Sequence, residues 1–409
     1  MTTQERAVAP GSATGDVAML ALSDVERFWS RHFPSIAGGA TFEPVRDLHP
    51  YTESDPPPAC GPEPVAYQPN AFYCPAGDFI AWDAQNLIPE LEEQFGPLLT
   101  GVIMAHEYGH ALQSRLGRLG EPTIVLEQQA DCFAGAWTAD VVAGRSTAYD
   151  GVTPDQLDNT LAGLLMLRDQ PGTSATSPDA HGNAFDRIRA FQDGTERGPA
   201  ACAVYEGTNI PVTQVPFTSP DDAANGGDLP YAEALTALAR DAQSYWARAY
   251  PRLTGEAWKP LEVTAHRGEA PACADPDMVA LGHAFYCVEG DFATFDTAVL
   301  GPRLHRTIGD FAVGMLIGDL YARAVQNRRG AVTGDRAGQL AADCLAGTWT
   351  HDILTRDDPA QGLLLSPGDL DEAVAALLVL GRAGDGSGTT AFERIAAYRS
   401  GVIEGLPAC

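Results

Sequence analysis

The sequence predicts an α+β chain, mainly helical, in which one domain is duplicated in tandem. Three observations lead there. Segments with helical apolar spacing outnumber the strand-like runs. The strand-like runs are short and joined by tight turns, as in Ala71–Cys74 and Phe79–Asp83 around Pro75–Asp78. Pieces of the first half then return in the second half at a nearly constant displacement.

In chain order, residues 1–22 are rich in Ala, Gly, Ser and Thr and read as a flexible leader. Ser23–Phe33 follows as a helix, with Val25, Phe28 and Trp29 on one side. Thr41–Val45 reads as a strand, which Pro44 would confine to a sheet edge. Pro56–Pro58 can be neither helix nor central strand. After the two short strands, Ala84–Phe95 and Leu98–Leu116 read as helices. Gly117–Gly120 break the second of these, and Pro122 opens another that runs to about Ala143. Thr153–Leu167 is an amphipathic helix opened by Thr153-Pro154-Asp155. A polar loop, Ser174–Asp179, leads to His181 and to a helix through Ala184–Phe191. Gly207–Gly227 is proline, glycine and polar rich and reads as a linker.

Beyond that linker the chain starts again. Cys60, Asn70-Ala71-Phe72-Tyr73-Cys74 and Gly77-Asp78-Phe79 return as Cys273, His283-Ala284-Phe285-Tyr286-Cys287 and Gly290-Asp291-Phe292, all displaced by 213 positions. Ala130-Asp131-Cys132 with Trp137 returns as Ala342-Asp343-Cys344 with Trp349. Ala184-Phe185 and Arg187-Ile188 return as Ala391-Phe392 and Arg394-Ile395. The expected organisation is a leader (1–22), a first copy (23–206), a linker (207–228) and a second copy (229–409).

Length and composition agree with this. A chain of 409 residues suits two domains, and 45% hydrophobic content is ample for their cores. The formal charge of −28 argues against nucleic acid and anionic membrane surfaces as partners. No run of 18 apolar residues occurs, so no membrane span is expected. The lone lysine, Lys259, reads as compositional bias.

Eight cysteines, an even count, suggest disulfides and an oxidising compartment. If both copies close their bridges alike, three schemes remain. Cys60 and Cys74 flank a short loop, as do Cys273 and Cys287, which leaves Cys132 with Cys202 and Cys344 with Cys409. The N-terminal stretch lacks a basic region followed by a long apolar core and does not read as a signal peptide. The cysteines favour an extracellular or cell-envelope protein that begins after a removed signal. A cytosolic protein is the alternative.

The chemistry concentrates in His106-Glu107-Tyr108-Gly109-His110. Residues four apart share a helix face, so His106 and His110 can point at one ion, while Glu107 can reach a water beside it. Tyr108 reads as packing. Glu127 and Asp131 on the next helix are also four apart and share a face. Glu127 supplies a third ligand, and Asp131 can hold the free N–H of a ligating histidine.

These residues resemble the gluzincins, with H-E-x-x-H on one helix and E-x-x-A-D on the next. More narrowly, HEYGHALQ, LEQQADCFAGAW and AHGNAFDRIRAFQDG, with NAFYCP and DFIAWD upstream, resemble the putative neutral zinc metallopeptidase family over roughly Phe72–Cys202. The resemblance implies a zincin-like fold, one zinc ion and peptide-bond hydrolysis of a protein or peptide substrate. It implies that Phe79–Asp83 takes substrate as an added strand and that His181 stabilises the oxyanion.

In the second copy every proposed ligand and catalytic residue changes together, while Asp343 and Trp349 remain. His106 faces Asp319, Glu107 faces Leu320, His110 faces Arg323, Glu127 faces Gln339 and His181 faces Gly388. The expected picture is one zinc per chain, held in the first copy by His106, His110 and Glu127, with Glu107 as general base. The second copy is folded but inactive, packs against the first, and carries an Asp319–Arg323 ion pair in the vacated site. A metal-binding regulatory protein with little turnover and a purely structural envelope protein are the competing readings.

Overall fold

The computed structural model describes residues 13–62, 66–207, 209–267, 273, 284–331, 334–382 and 387–409. The chain divides into two units at Val212 and Thr213, inside the expected linker. Gln170–Gly172 and Asn183–Phe185 group with the second unit.

The first unit begins with helix α1, Ala13–Ile36. Ala18, Ala21, Leu22, Val25, Phe28, Trp29 and Phe33 recur at helical spacing and are all buried. Residues 13–22 are therefore the start of a packed helix and not the flexible leader expected from their composition. Their alanines supply both helix propensity and a flat face for close packing. The rest of the expected leader lies outside the described residues.

Three short strands follow: β1 (Asp47–Tyr51), β2 (Ala71–Cys74) and β3 (Phe79–Asp83). Their order is β1-β3-β2, with β3 parallel to β1 and antiparallel to β2. This corrects two expectations. Thr41–Val45 is not a strand, because side chains satisfy its backbone. Arg115 donates to the Glu43 and Pro44 carbonyls at 2.6 and 3.0 Å, and the Val45 amide donates to Tyr108 Oη at 3.1 Å. The edge strand is β1 instead, and it tolerates Pro50 for the reason assigned to Pro44. The second correction concerns substrate. β3 is central, hydrogen-bonded on both sides and wholly buried, so it has no free edge for an added strand.

Helix α2 spans Leu87–Phe95, α3 Pro97–Arg115 and α4 Thr123–Val142. Almost every residue of α3 and α4 is buried on all sides, including the polar ones. Helix α5 (Pro154–Met166) is opened by a capping box between Thr153 and Gln156. Helix α6 runs Ala184–Arg197, one and a half turns beyond the expected end, and α7 covers Pro199–Ala203. Glycines set the close approaches. A Cβ on Gly109 would meet Ala130 Cα at 2.8 Å, and one on Gly194 would meet the Cys132 carbonyl oxygen at 1.8 Å. Helices α3 and α6 thus lie against α4 backbone to backbone.

The second unit opens with the short helix α8, Pro220–Ala224, capped by Ser219, so part of the expected linker is ordered. Helix α9 (Tyr231–Thr254) precedes strands β4 (Glu262–His266), β5 (Ala284–Cys287) and β6 (Phe292–Asp296), in the order β4-β6-β5. β6 is parallel to β4 and antiparallel to β5, the pattern of the first sheet. Helices α10 (Leu300–Thr307), α11 (Asp310–Arg328), α12 (Arg336–Leu354), α13 (Asp369–Arg382) and α14 (Ala391–Glu404) complete the unit. His283 of the repeated strand motif lies outside the described residues.

Individual contacts match between the units as well. Trp137 Nε1 donates to Asp24 at 3.1 Å, and Trp349 Nε1 donates to Asp241 at 2.9 Å. Asp78 and Asp291 hold the same turn at φ 54° and 51°, a left-handed conformation that Asp tolerates. Arg115 grips the first of these aspartates at 2.9 Å and Arg328 the second at 3.0 Å. Among the described residues no helix is long and apolar enough to cross a membrane.

Four disulfides close as expected: Cys60–Cys74, Cys132–Cys202, Cys273–Cys287 and Cys344–Cys409. Peptide mapping without reduction is expected to recover these four pairs, and free thiols at all eight positions would overturn them. In the chain-entropy description the 70-residue loop of Cys132–Cys202 contributes about 4 kcal/mol and the 14-residue loop of Cys60–Cys74 about 3 kcal/mol. Paired Cys→Ala variants should rank in that order in chemical denaturation.

Candidate metal centre

The buried face between α3 and α4 brings together residues that sequence spacing singled out separately. Helical periodicity stacks His106 and His110, and their Nε2 atoms lie 3.2 Å apart. Glu127 of α4 meets both. Its Oε2 lies 3.3 Å from His106 Nε2, and its Oε1 lies 3.4 Å from His110 Nε2. Around an ion bound at 2.0–2.1 Å, tetrahedral ligands stand about 3.3–3.4 Å from one another. The two nitrogens, 3.2 Å apart, and the two Glu127 oxygens, 3.3 and 3.4 Å from them, lie close to that spacing.

Their chemistry fits a cation too. Glu127 Oε2 is buried and accepts no hydrogen bond among the described residues. Asp131 Oδ1 lies 2.8 Å from His106 Nδ1, and the same carboxylate is gripped by Arg187 through Nε at 2.9 Å and Nη2 at 3.0 Å. A carboxylate so held can only accept, so a neutral His106 carries its proton on Nδ1 and turns the lone pair of Nε2 toward Glu127. Lone pairs converging in a buried space without a proton between them are costly, and a cation removes that cost.

The local charge count agrees. Glu107, Glu127 and Asp131 are nearly or fully buried with one guanidinium, that of Arg187. With neutral imidazoles the cluster is two positive charges short, the charge of one divalent ion. Without an ion, burial would lower both imidazoles, but Asp131 and Glu127 overcome this and lift His106 to about 10. Burial opposes ionisation of Glu127, yet the two histidines hold its carboxyl well below the usual range. Burial opposes ionisation of Asp131 as well, and Arg187 with His106 brings it down. The site is thus electrostatically built to attract positive charge.

Glu107 points elsewhere. Its Oε2 accepts the Tyr73 amide at 2.9 Å, and burial raises its carboxyl. It stands beside the cluster without joining the ligating set. His106, Glu107, His110, Glu127 and Arg187 open on a cleft of about 780 Å3 with apolar walls from Phe72, Leu91, Ile103, Leu126 and Leu167. Strand β2, the edge of the sheet opposite β1, lines the cleft through Ala71, Phe72 and Tyr73. His181 lines it as well, but stands at its outer part: its side chain is 57% exposed and lies 3.5 Å from Asp169. Tyr108 is fully buried and donates to Glu26 at 3.1 Å, a packing role as expected.

Sequence reading gave no role to Arg187 or Gln113. The return of Arg187 as Arg394 was visible and could have flagged it. Gln113 lies one turn beyond His110, and its Oε1 is 2.9 Å from His110 Nδ1.

The corresponding place in the second unit is filled by protein. Arg323 Nε donates to Asp319 at 2.7 Å, the expected ion pair, and its Nη2 donates to Gln339 at 2.6 Å. Arg394 grips Asp343 at 2.9 Å, as Arg187 grips Asp131. Two carboxylates face two guanidiniums here. A separate carboxylate group, Asp228, Asp310 and Glu372, gathers at the start of α11. There Asp228 and Glu372 accept the amides of Asp310 and Phe311 at 2.9 and 2.8 Å. Burial pushes Asp310 up to about 6 and Glu372 up to about 9, so protonation relieves their crowding.

Known proteins agree with the first unit. The family described as putative neutral zinc metallopeptidase matches residues 2–205. An uncharacterized protein of Mycobacterium tuberculosis is 30% identical over 176 residues, covering 37% of this chain and 59% of the relative. The uncharacterized Escherichia coli protein YpfJ is 28% identical over 160 residues, covering 33% of this chain and 53% of the relative. The chain thus spans somewhat more than half the length of these relatives. No solved structure matches. On the strength of that match and of the ligand geometry, the chain belongs, through residues 2–205, to the putative neutral zinc metallopeptidase family.

Proposed function

We propose that this protein is a zinc-dependent endopeptidase of gluzincin type whose working site lies in residues 23–206. The observation that carries the reading is the meeting of His106 Nε2, His110 Nε2 and Glu127 at 3.2–3.4 Å, with Glu107 alongside but not ligating. His106, His110 and Glu127 would hold the zinc, and bound there it would supply Lewis acidity that polarises a peptide carbonyl and acidifies water. Glu107 accepts a proton from the attacking water and returns it to the leaving amine. The Tyr73 amide fixes the carboxylate for that exchange. Asp131, itself held by Arg187, keeps the His106 ring in the orientation that frees Nε2. His181 stabilises developing charge on the carbonyl oxygen from the wall of the cleft. An extended peptide would add to the outer edge of β2 beside the Tyr73 amide that Glu107 occupies, so β2 replaces β3 as the substrate strand.

We further propose that residues 207–228 link this domain to a degenerate second copy, 229–409. The matching sheets, Trp–Asp pairs and Arg–Asp turns support the duplication. The balanced Asp319–Arg323 and Asp343–Arg394 charges support a second copy that takes no zinc. The four disulfides favour an oxidising, extracellular or envelope setting.

Elemental analysis of the purified full chain should find about one zinc, and His110→Ala should lose it. Two zinc ions per chain would refute the single-site reading. Glu107→Gln should keep the fold and the zinc while casein hydrolysis falls about 100- to 10,000-fold. A zinc-loaded wild type that cleaves no faster than Glu107→Gln would instead favour the metal-binding regulatory protein.

A further inference from the structure

We propose that Gln113 is the positioning residue that makes His110 a metal ligand, by holding its Nδ1–H so that Nε2 faces the ion. The inference rests on the ligand assignment made above and adds a residue to it.

The argument follows hydrogen-bond polarity. Gln113 is fully buried. Its Nε2 donates to the Leu126 carbonyl at 2.6 Å, and a carbonyl oxygen can only accept, so the amide cannot be turned around. The Oε1 atom is therefore the one that lies 2.9 Å from His110 Nδ1. Oε1 accepts only as well, so Nδ1 must carry a proton, and in the neutral imidazole that a metal ion binds, Nε2 then presents the lone pair. Nε2 is the atom that meets His106 Nε2 and Glu127. Leu126 is the residue before Glu127. One side chain thus holds one ligand directly and anchors the backbone next to another.

The second unit separates the two jobs. Gln326 of α11 is the counterpart of Gln113, and its Nε2 donates to the Gly338 carbonyl at 2.7 Å, beside Gln339. The tie between helices survives there. The clamp does not: where His110 would stand, Arg323 turns to Asp319 and Gln339, and the buried Gln326 Oε1 accepts no hydrogen bond among the described residues. A fold that keeps the donor half of this glutamine and orphans the acceptor half assigns the acceptor half to the histidine.

The test uses the full chain and Zn2+ in competition with a chelator. Gln113→Met keeps the volume and removes the acceptor, and zinc binding should weaken about 10- to 100-fold. Gln113→Glu restores an acceptor and should recover most of that loss. Gln326→Met cuts the same helix tie in the second unit and should leave zinc affinity unchanged within twofold. Long-range proton–nitrogen spectra of the zinc-loaded wild type should show His110 protonated at Nδ1, a readout that stands even if Gln113→Met fails to fold. Wild-type affinity in a folded Gln113→Met, or a His110 protonated at Nε2, overturns the proposal. A wild type that takes no stoichiometric zinc overturns the ligand assignment, and this proposal with it.

Discussion

The close approach of α3 to α4 at Gly109 is the constraint on which the site depends. Any side chain at that position would push Ala130 away and with it the α4 backbone between Glu127 and Asp131. Because the backbones touch there, His106, His110 and Glu127 lie within bonding range of one ion. Asp131 reaches the far side of the first imidazole. The same contact leaves almost no room for water on the inner faces of the two helices. Polar groups enclosed in that way interact more strongly than they would at a surface, and an imbalance among them costs more.

Charge balance is met differently in the two units. In the first, Arg187 neutralises Asp131, and the remaining carboxylates wait on a cation. In the second, Arg394 neutralises Asp343, and Arg323 supplies a guanidinium at the place of His110. The aspartate–arginine pair common to both belongs to the scaffold: it joins α4 to α6 in one unit and α12 to α14 in the other. What differs is how the remaining negative charge is met.

Much of this was legible in the sequence because it depends on local periodicity. Spacing of four placed His106 with His110 and Glu127 with Asp131. The return of whole motifs anticipated the likeness of the two sheets and the cysteine pairs. What escaped depends on contacts distant in sequence. Thr41–Val45 has the composition of a strand, but Arg115 and Tyr108 occupy its backbone groups. Residues 13–22 look like a flexible leader until their alanines are seen to pack. The role of β3 was misplaced because strand order in a sheet is not fixed by strand order in the chain. Gln113 and Arg187 were passed over since each acts through a partner on another helix.

If the second unit is the degenerate copy proposed above, its charges give a reason for its chemical residues to have changed as a set. Suppose Arg323 stood alone against an intact ligand set. A fixed positive charge would then sit beside the ion, and binding would fail while the partly unpaired acceptors stayed buried. Loss of a histidine without a new cation would leave Glu127 facing nothing. Either half-step is worse than both ends, because a buried carboxylate must be paired with an ion or with a guanidinium. Glutamine in place of Glu127 removes one charge, and arginine in place of His110 neutralises the aspartate that replaces His106. Together they would reach a closed arrangement whose charges balance without a cation. On that reading the buried Gln326 Oε1, which accepts no hydrogen bond among the described residues, is a place that such a change would have left unsatisfied.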